Sequence, residues 1–277
     1  MREIYFSEKD LQNIYHLYYD EKISQEKIAK LYKTSQSVIQ RRFIKEGWIT
    51  RNMCQCHRKY HLNEHLFDII DSADKAYCLG LWYADGCNQI NYNAVRIELQ
   101  SRDVDVLIKM KNFLEYDAPL VFTPAMQRNN RKQDTYTLNI NSQYMCNRLN
   151  DLNLIPNKSL TLDFPYWMSK ELIPFMLRGY IDGDGWIQKS RLGFMSTDKF
   201  CIGVKQYLNS IGLDCSIYDM KRHYNEHTKT INIFGKKNII PLATKMFADG
   251  SIFMQRKLDK YLEFGYLTEE TNNLLSA

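Results

Sequence analysis

The 277-residue chain has no apolar run approaching the ~20 residues that a membrane-spanning helix needs. It has no Pro- or Ser-rich linker, and no signal-peptide pattern at its start. Its 7 cysteines follow no regular spacing, which excludes a disulfide-built secreted scaffold and points to a reducing compartment such as the cytoplasm. Cys54, Cys56 and His57 form C-x-C-H, without the C-x₂-C spacing and second ligand pair of a zinc ribbon. Nor is there a large excess of one charge, since the sum is only +5. Its distribution is uneven, however. Residues 1–62 hold 12 Lys+Arg against 7 Asp+Glu, whereas residues 63–277 hold 25 of each. The basic N-terminal part suits a polyanionic partner but does not demand one. The length allows two or three compact units.

What the chain does have is an odd stretch near residue 176, MLRGYIDGDGWIQ. An apolar helical run there ends in two aspartates threaded through glycines. A carboxylate at a helix C-terminus faces the negative end of the macrodipole, which costs a few tenths of a kcal/mol or more. The simplest reading is a helix that stops at Gly183 or Gly185 in a left-handed cap. About a hundred residues upstream, however, the chain reads YCLGLWYADGCNQI, and Cys78–Gly86 aligns without a gap on Leu177–Gly185. Gly80 matches Gly179, Ala84 matches Gly183, Asp85 matches Asp184 and Gly86 matches Gly185.

The match extends outward, as a structural repeat should. Val95, Ile97 and Leu99 alternate with Arg96, Glu98 and Gln100, the pattern of a half-buried strand. Thr137, Asn139 and Asn141 alternate with Leu138 and Ile140, and Thr230 and Asn232 alternate with Ile231 and Ile233. Each half is therefore expected to run helix, strands, helix, strands, helix, over residues 74–169 and again over 170–277.

In each motif helix a small residue recurs four positions after glycine, on the same face. Such a face lets two helices meet backbone to backbone, which would bring Asp85 and Asp184 together. Two adjacent carboxylates repel, and one is pushed towards protonation. A divalent cation removes that conflict, because hard cations take oxygen ligands and Mg²⁺ commonly uses one or two carboxylates plus phosphate oxygens.

These paired stretches resemble the LAGLIDADG homing endonucleases in their single-chain, two-motif form. The family's acid falls on Asp85 and Asp184; at the sixth motif position, usually Asp, the first repeat has Tyr83 and the second Asp182. The resemblance spans roughly residues 60–266. It implies an α+β fold of two pseudo-symmetric αββαββα repeats, forming a saddle of antiparallel sheets on double-stranded DNA. It also implies Asp85 and Asp184 as catalytic, Mg²⁺-binding residues, with Lys158, Lys257 and Gln100 in support. Arg96, Glu98, Thr137, Asn139, Asn141, Thr230 and Asn232 would then face the bases; on pattern alone they could equally be a solvated sheet surface.

Residues 1–50 read as a small all-α unit. Ser7 precedes an apolar helical run (Leu11, Ile14, Tyr15, Tyr18), Ser24 precedes Ile28, Leu31 and Tyr32, and Ser35 opens a third helix with Ile39 and Phe43 inward. This resembles a helix-turn-helix domain, with Ser37, Gln40 and Arg41 placed to meet bases or phosphates. The alternative is a plain three-helix bundle. Residues 51–73 read as a connector. The whole implies a monomeric, divalent-metal-dependent endodeoxyribonuclease acting on a long asymmetric site and leaving 3′ overhangs, with no small-molecule substrate. Rival readings are a catalytically silent transcription regulator and an RNA-binding intron maturase. An intein is disfavoured by Met1 at the start and by the absence of a terminal His-Asn pair.

Overall fold

The computed structural model describes residues 5–50, 59–126, 133–219 and 228–268. The C-x-C-H cluster at Cys54, Cys56 and His57 lies outside them. The chain divides into two compact units, meeting in sequence between Lys59 and Tyr60.

The first unit contains three helices, α1 (Glu8–Tyr19), α2 (Gln25–Leu31) and α3 (Gln36–Lys45). Ser7 and Asp10 form a reciprocal capping box at the start of α1, and the Ser24 hydroxyl accepts from Lys27 N at the start of α2. Ile14, Tyr18, Ile28, Ala29, Ile39 and Phe43 form the core. Two residues of the apolar runs lie outside this core. Leu31 is exposed at the end of α2, and Tyr15 is exposed although its ring meets Tyr19 and Trp48 at the surface. Helical spacing places a residue on a face, but a seven-residue helix buries less than its whole apolar stripe.

The second unit realises the αββαββα repeat twice. The first copy comprises α4 (Ala73–Asp85), β1 (Gly86–Gln89), β2 (Ala94–Gln100), α5 (Val104–Phe113), β3 (Val121–Thr123), β4 (Thr135–Asn141) and α6 (Gln143–Asp151). The second comprises α7 (Ile173–Asp184), β5 (Gly185–Gln188), β6 (Arg191–Thr197), α8 (Asp198–Ser210), β7 (Ser216–Asp219), β8 (Thr228–Phe234) and α9 (Lys236–Met246), followed by α10 (Gln255–Glu263). The sheets are antiparallel with matching strand orders, β1-β2-β4-β3 and β5-β6-β8-β7. Val95, Ile97, Leu138 and Ile140 in one sheet, and Leu192, Phe194, Ile231 and Ile233 in the other, belong to one continuous core with both motif helices.

From Tyr60 onward the expected connector is part of this core. Phe67 is fully buried against the Trp82 ring, and Arg148 donates to the carbonyls of Phe67 and Asp68. Glu64 accepts a hydrogen bond from the Ser142 hydroxyl at 2.7 Å. An apolar residue flanked by polar ones reads as a linker until a partner surface is known.

Candidate active site at the paired helix ends

Helices α4 and α7 pack with almost no side-chain spacer between them. A Cβ on Gly80 would run into the carbonyl of Met176, 2.8 Å from its carbon, and one on Gly179 would lie 2.8 Å from the amide nitrogen of Leu81. The small-residue face expected from sequence is therefore the contact itself. At the far end, a Cβ on Gly183 would lie 2.6 Å from Asp85 Oδ2. The Asp85 carboxylate thus rests against the residue preceding Asp184, and the duplicated acids are near enough for the Asp184 charge to act on Asp85. Gly86 and Gly185 do cap the helices, but both are extended (φ −76° and −86°) rather than left-handed. They are needed for space, because a Cβ at either would fall 2.6–2.7 Å from the carbonyl oxygen one turn back, Trp82 O or Ile181 O.

The electrostatics follow from this placement. Desolvation, with the nearby Asp184 charge, raises the Asp85 carboxyl to about 6, against the pull of Lys158 and Lys257. Desolvation also raises Asp184, although that residue is the more open of the two. Both lysines are buried, Lys158 on a 3-10 turn after α6 and Lys257 on α10. Lys158 Nζ donates to Ala84 O at 2.9 Å, and Lys257 Nζ donates to Ile181 O at 3.1 Å and to Gly185 O. Each ammonium therefore caps the carbonyl end of a motif helix. A cation there offsets the negative helix end that makes a C-terminal aspartate unfavourable.

The lysines are held by crossed anchors. Beyond Lys158 the chain lies on the second repeat, where the Thr197 hydroxyl donates to Leu162 O and Phe164 packs on the backbone of Gly203. Beside Lys257, Arg256 makes a bidentate pair with the buried Asp103 of the first repeat at 2.7 and 3.0 Å, and Lys109 donates to Phe253 O. Asp182 accepts from Tyr77 and from Met254 N, just ahead of α10, while Tyr83 donates to Leu152 O. At the sixth motif position the two repeats thus use different chemistry for the same task, tying the motif helix to a later segment of its own repeat. Arg178, fully buried, donates to the carbonyls of Met246, Asp249 and Ile252 and fixes the loop before α10. Sequence reading missed Arg256, Asp103 and Arg178. Their partners are too distant in sequence to be paired by periodicity.

Of the proposed base-facing residues, Arg96, Glu98, Asn139, Asn141 and Thr230 are at least partly open. Arg96 and Glu98 pair with one another at 2.5 Å. Thr137 and Asn232 depart from the expected open face, being 3% and 4% exposed. Thr137 sits between Arg96 and Glu98 and hydrogen-bonds with both, and Asn232 is covered by its neighbours on the sheet. Alternation assigns a face but not the size of adjacent side chains. Gln100 ends β2 with its side-chain oxygen buried and without a partner. Ser37, Gln40 and Arg41 are all exposed on α3.

Residues 173–246 match the family described as a LAGLIDADG-like domain. The second repeat is thus similar to a LAGLIDADG-like domain over that span. The first repeat has its strand order and a matching motif helix. No curated protein matches the chain. Solved structures with a similar chain trace include the meganuclease I-SmaMI bound to uncleavable DNA, at 12% identity and a TM-score of 0.46, covering 72% of this chain and 92% of that one. Others are I-DmoI in complex with DNA and Ca (15%, 0.44, covering 68% and 92%) and full-length DUF199/WhiA from Thermatoga maritima (13%, 0.45, covering 77% and 69%). Among the described residues no helix is long and apolar enough to cross a membrane.

The raised Asp85 gives a stability test. Its folded value of about 6 lies above the ordinary 3.8, so folding takes up a proton between them. The stability contributed by the protonated form is present below about pH 4 and is lost as pH rises through 6. In chelator at pH 7, Asp85→Asn is therefore expected to melt above the parent by a few degrees, at about 2–4 °C per kcal/mol. The difference should vanish near pH 4. An Asn variant that melts lower at pH 7 would show that Asp85 is not held against its charge.

Proposed function

We propose that the chain is a site-specific, metal-dependent endodeoxyribonuclease that hydrolyses both strands of a long asymmetric duplex site and leaves 3′ overhangs. The observation that carries the reading is the convergence of Asp85 and Asp184, from two repeats, at one pair of abutting helix ends. Among the described residues no cluster of three or more acidic, His or Cys ligands occurs. Two carboxylates and no more suit a hard cation such as Mg²⁺, which keeps waters and takes phosphate oxygens from its substrate. Such an ion, held by Asp85 and Asp184, would stabilise charge on the attacking and leaving oxygens of the scissile phosphates. The chain's own part is to hold the two carboxylates side by side and to keep Lys158 and Lys257 next to them at the capped helix ends. The two sheets would form the saddle that lies along the duplex, and Gln100 would assist at its edge. Both motifs are in one chain, so one copy per duplex should suffice. Incubation with a randomised duplex library and Mg²⁺, followed by sequencing of the ends, tests the reading. Absence of any recurrent cut site with 3′ overhangs would overturn it.

The first unit would add a second DNA contact as a helix-turn-helix, with Ser37, Gln40 and Arg41 of α3 towards the duplex. A chain beginning at Tyr60 keeps the whole larger core and should fold. If the first unit neutralises about three to five phosphates, its loss lowers the log–log salt slope of binding by roughly 3 to 4 units. Equal slopes for the two proteins would assign the three helices to another partner.

A further inference from the structure

The two sheets are matched residue for residue, but their outer faces differ in chemistry. Gly86 opposite Ile97 in the first sheet corresponds to Gly185 opposite Phe194 in the second, and Leu138 then corresponds to Ile231. On this register the outward Arg96 corresponds to Gly193, and its partner Glu98 to Met195. Cys87 corresponds to Trp186, Val121 to Tyr218 and Asn141 to Phe234. The first repeat's ion pair is therefore absent from the second, and at Trp186, Met195, Tyr218 and Phe234 aromatic or thioether side chains take the place of smaller or polar ones, while at the strand's start the exposed Arg191 replaces Ala94. Met195, Tyr218 and Phe234 are 42%, 49% and 40% exposed.

A Cβ on Gly193 would run into the Ile231 carbonyl oxygen and lie 2.9 Å from both the Trp186 ring and Asn232 Oδ1, so glycine at the arginine position makes room for the adjoining strand and for the large ring together. Asn232, 4% exposed, keeps that oxygen without a partner, as does Trp186 its indole N–H. The face is continuous with the acid site, because Met195, Thr197 and Thr228 line one cleft with Asp184 and Lys158.

We infer that the second sheet reads thymine C5-methyl groups in its half of the target, whereas the first sheet reads polar base edges. The inference rests on the nuclease reading above. In the major groove the C5-methyl of thymine is the apolar group that a base edge presents, so a surface of Met, Trp, Tyr and Phe has that partner to bury. The charged and amide side chains of the first sheet match donor and acceptor edges instead.

The test uses the full chain with Ca²⁺ and targets selected from a randomised duplex library. Crosslinking through 5-iododeoxyuridine, with adducts mapped to one repeat or the other, assigns each half-site. Thymines are then replaced by deoxyuridine in one half at a time. Affinity should fall about fourfold per methyl in the half facing the second sheet, and change by less than about twofold in the other. Met195→Glu, which restores the first repeat's residue on an exposed position, should remove part of the methyl dependence without lowering the melting temperature. Equal losses in both halves, no loss in either, or loss only in the first sheet's half overturns the inference. A library that yields no preferred sequence overturns the DNA reading beneath it.

Discussion

Asp85→Asn and Asp184→Asn are each expected to lower double-strand cleavage by at least about 10³-fold, the scale of removing one preorganised charge-stabilising group. DNA affinity should stay within about tenfold, or roughly 1.4 kcal/mol. Under the proposed function the two effects separate, because the carboxylates would act on the scissile phosphates, whereas most contacts that position a duplex go to its backbone elsewhere. The convergence at Gly183 makes the acids a pair, so each single change should be nearly as damaging as the double change. Lys158 and Lys257 stand apart from this, since their ammonium groups also cap the motif helices, and their loss should cost stability as well as activity. Cleavage time courses and equilibrium binding in Ca²⁺, run on the same duplex, distinguish the cases. A single Asn variant that cuts both strands at the parent rate would end the shared-site mechanism.

The second large effect is on the fold. Gly80→Val and Gly179→Val should each cost about 3 kcal/mol or more, the upper range for overpacking a tight interior. The obstructing atoms are the backbones of Met176 and Tyr77, so no rotamer change relieves the clash. Either helix must move away, and the carboxylates at its end move with it. Urea unfolding should show the loss, and residual activity in any folded fraction should fall further than stability alone requires. By contrast Gly47→Asn, at an open site with φ 68° in the first unit, should change little, because Asn tolerates the left-handed region. Equal unfolding midpoints for Gly179→Val and the parent would mean that the helices do not meet backbone to backbone.

Much of the fold was legible because repetition amplified weak signals. Alternation in Val95–Leu99 and Thr137–Asn141 marks strands only modestly, but the same alternation at matched distances from a second Gly-x-x-x-small-Asp-Gly motif marks a repeat. The small residues in that motif implied helix contact, and contact implied paired acids, by geometry alone. The left-handed cap considered at Gly183 or Gly185 does not form. Glycine at 86 and 185 is required instead by crowding against the preceding helical turn, which follows from the extended backbone those residues adopt. The connector was read too long for a similar reason, since Phe67 needs Trp82 to declare it buried.

The sequence by itself determined the duplication, the helix–strands–helix–strands–helix order and the matched pair of motif acids, because each of these is written in local periodicity and spacing; the full αββαββα pattern came with the family resemblance. Only the tertiary structure decided how the acids are supported. Asp103 meets Arg256, and Lys158 and Lys257 reach the carbonyl ends of α4 and α7, across separations of 72 residues or more. The different faces of the two sheets were likewise decided by register, which fixes the neighbours of each outward side chain. Contacts of that kind depend on which surfaces close against each other, and no one-dimensional period encodes them.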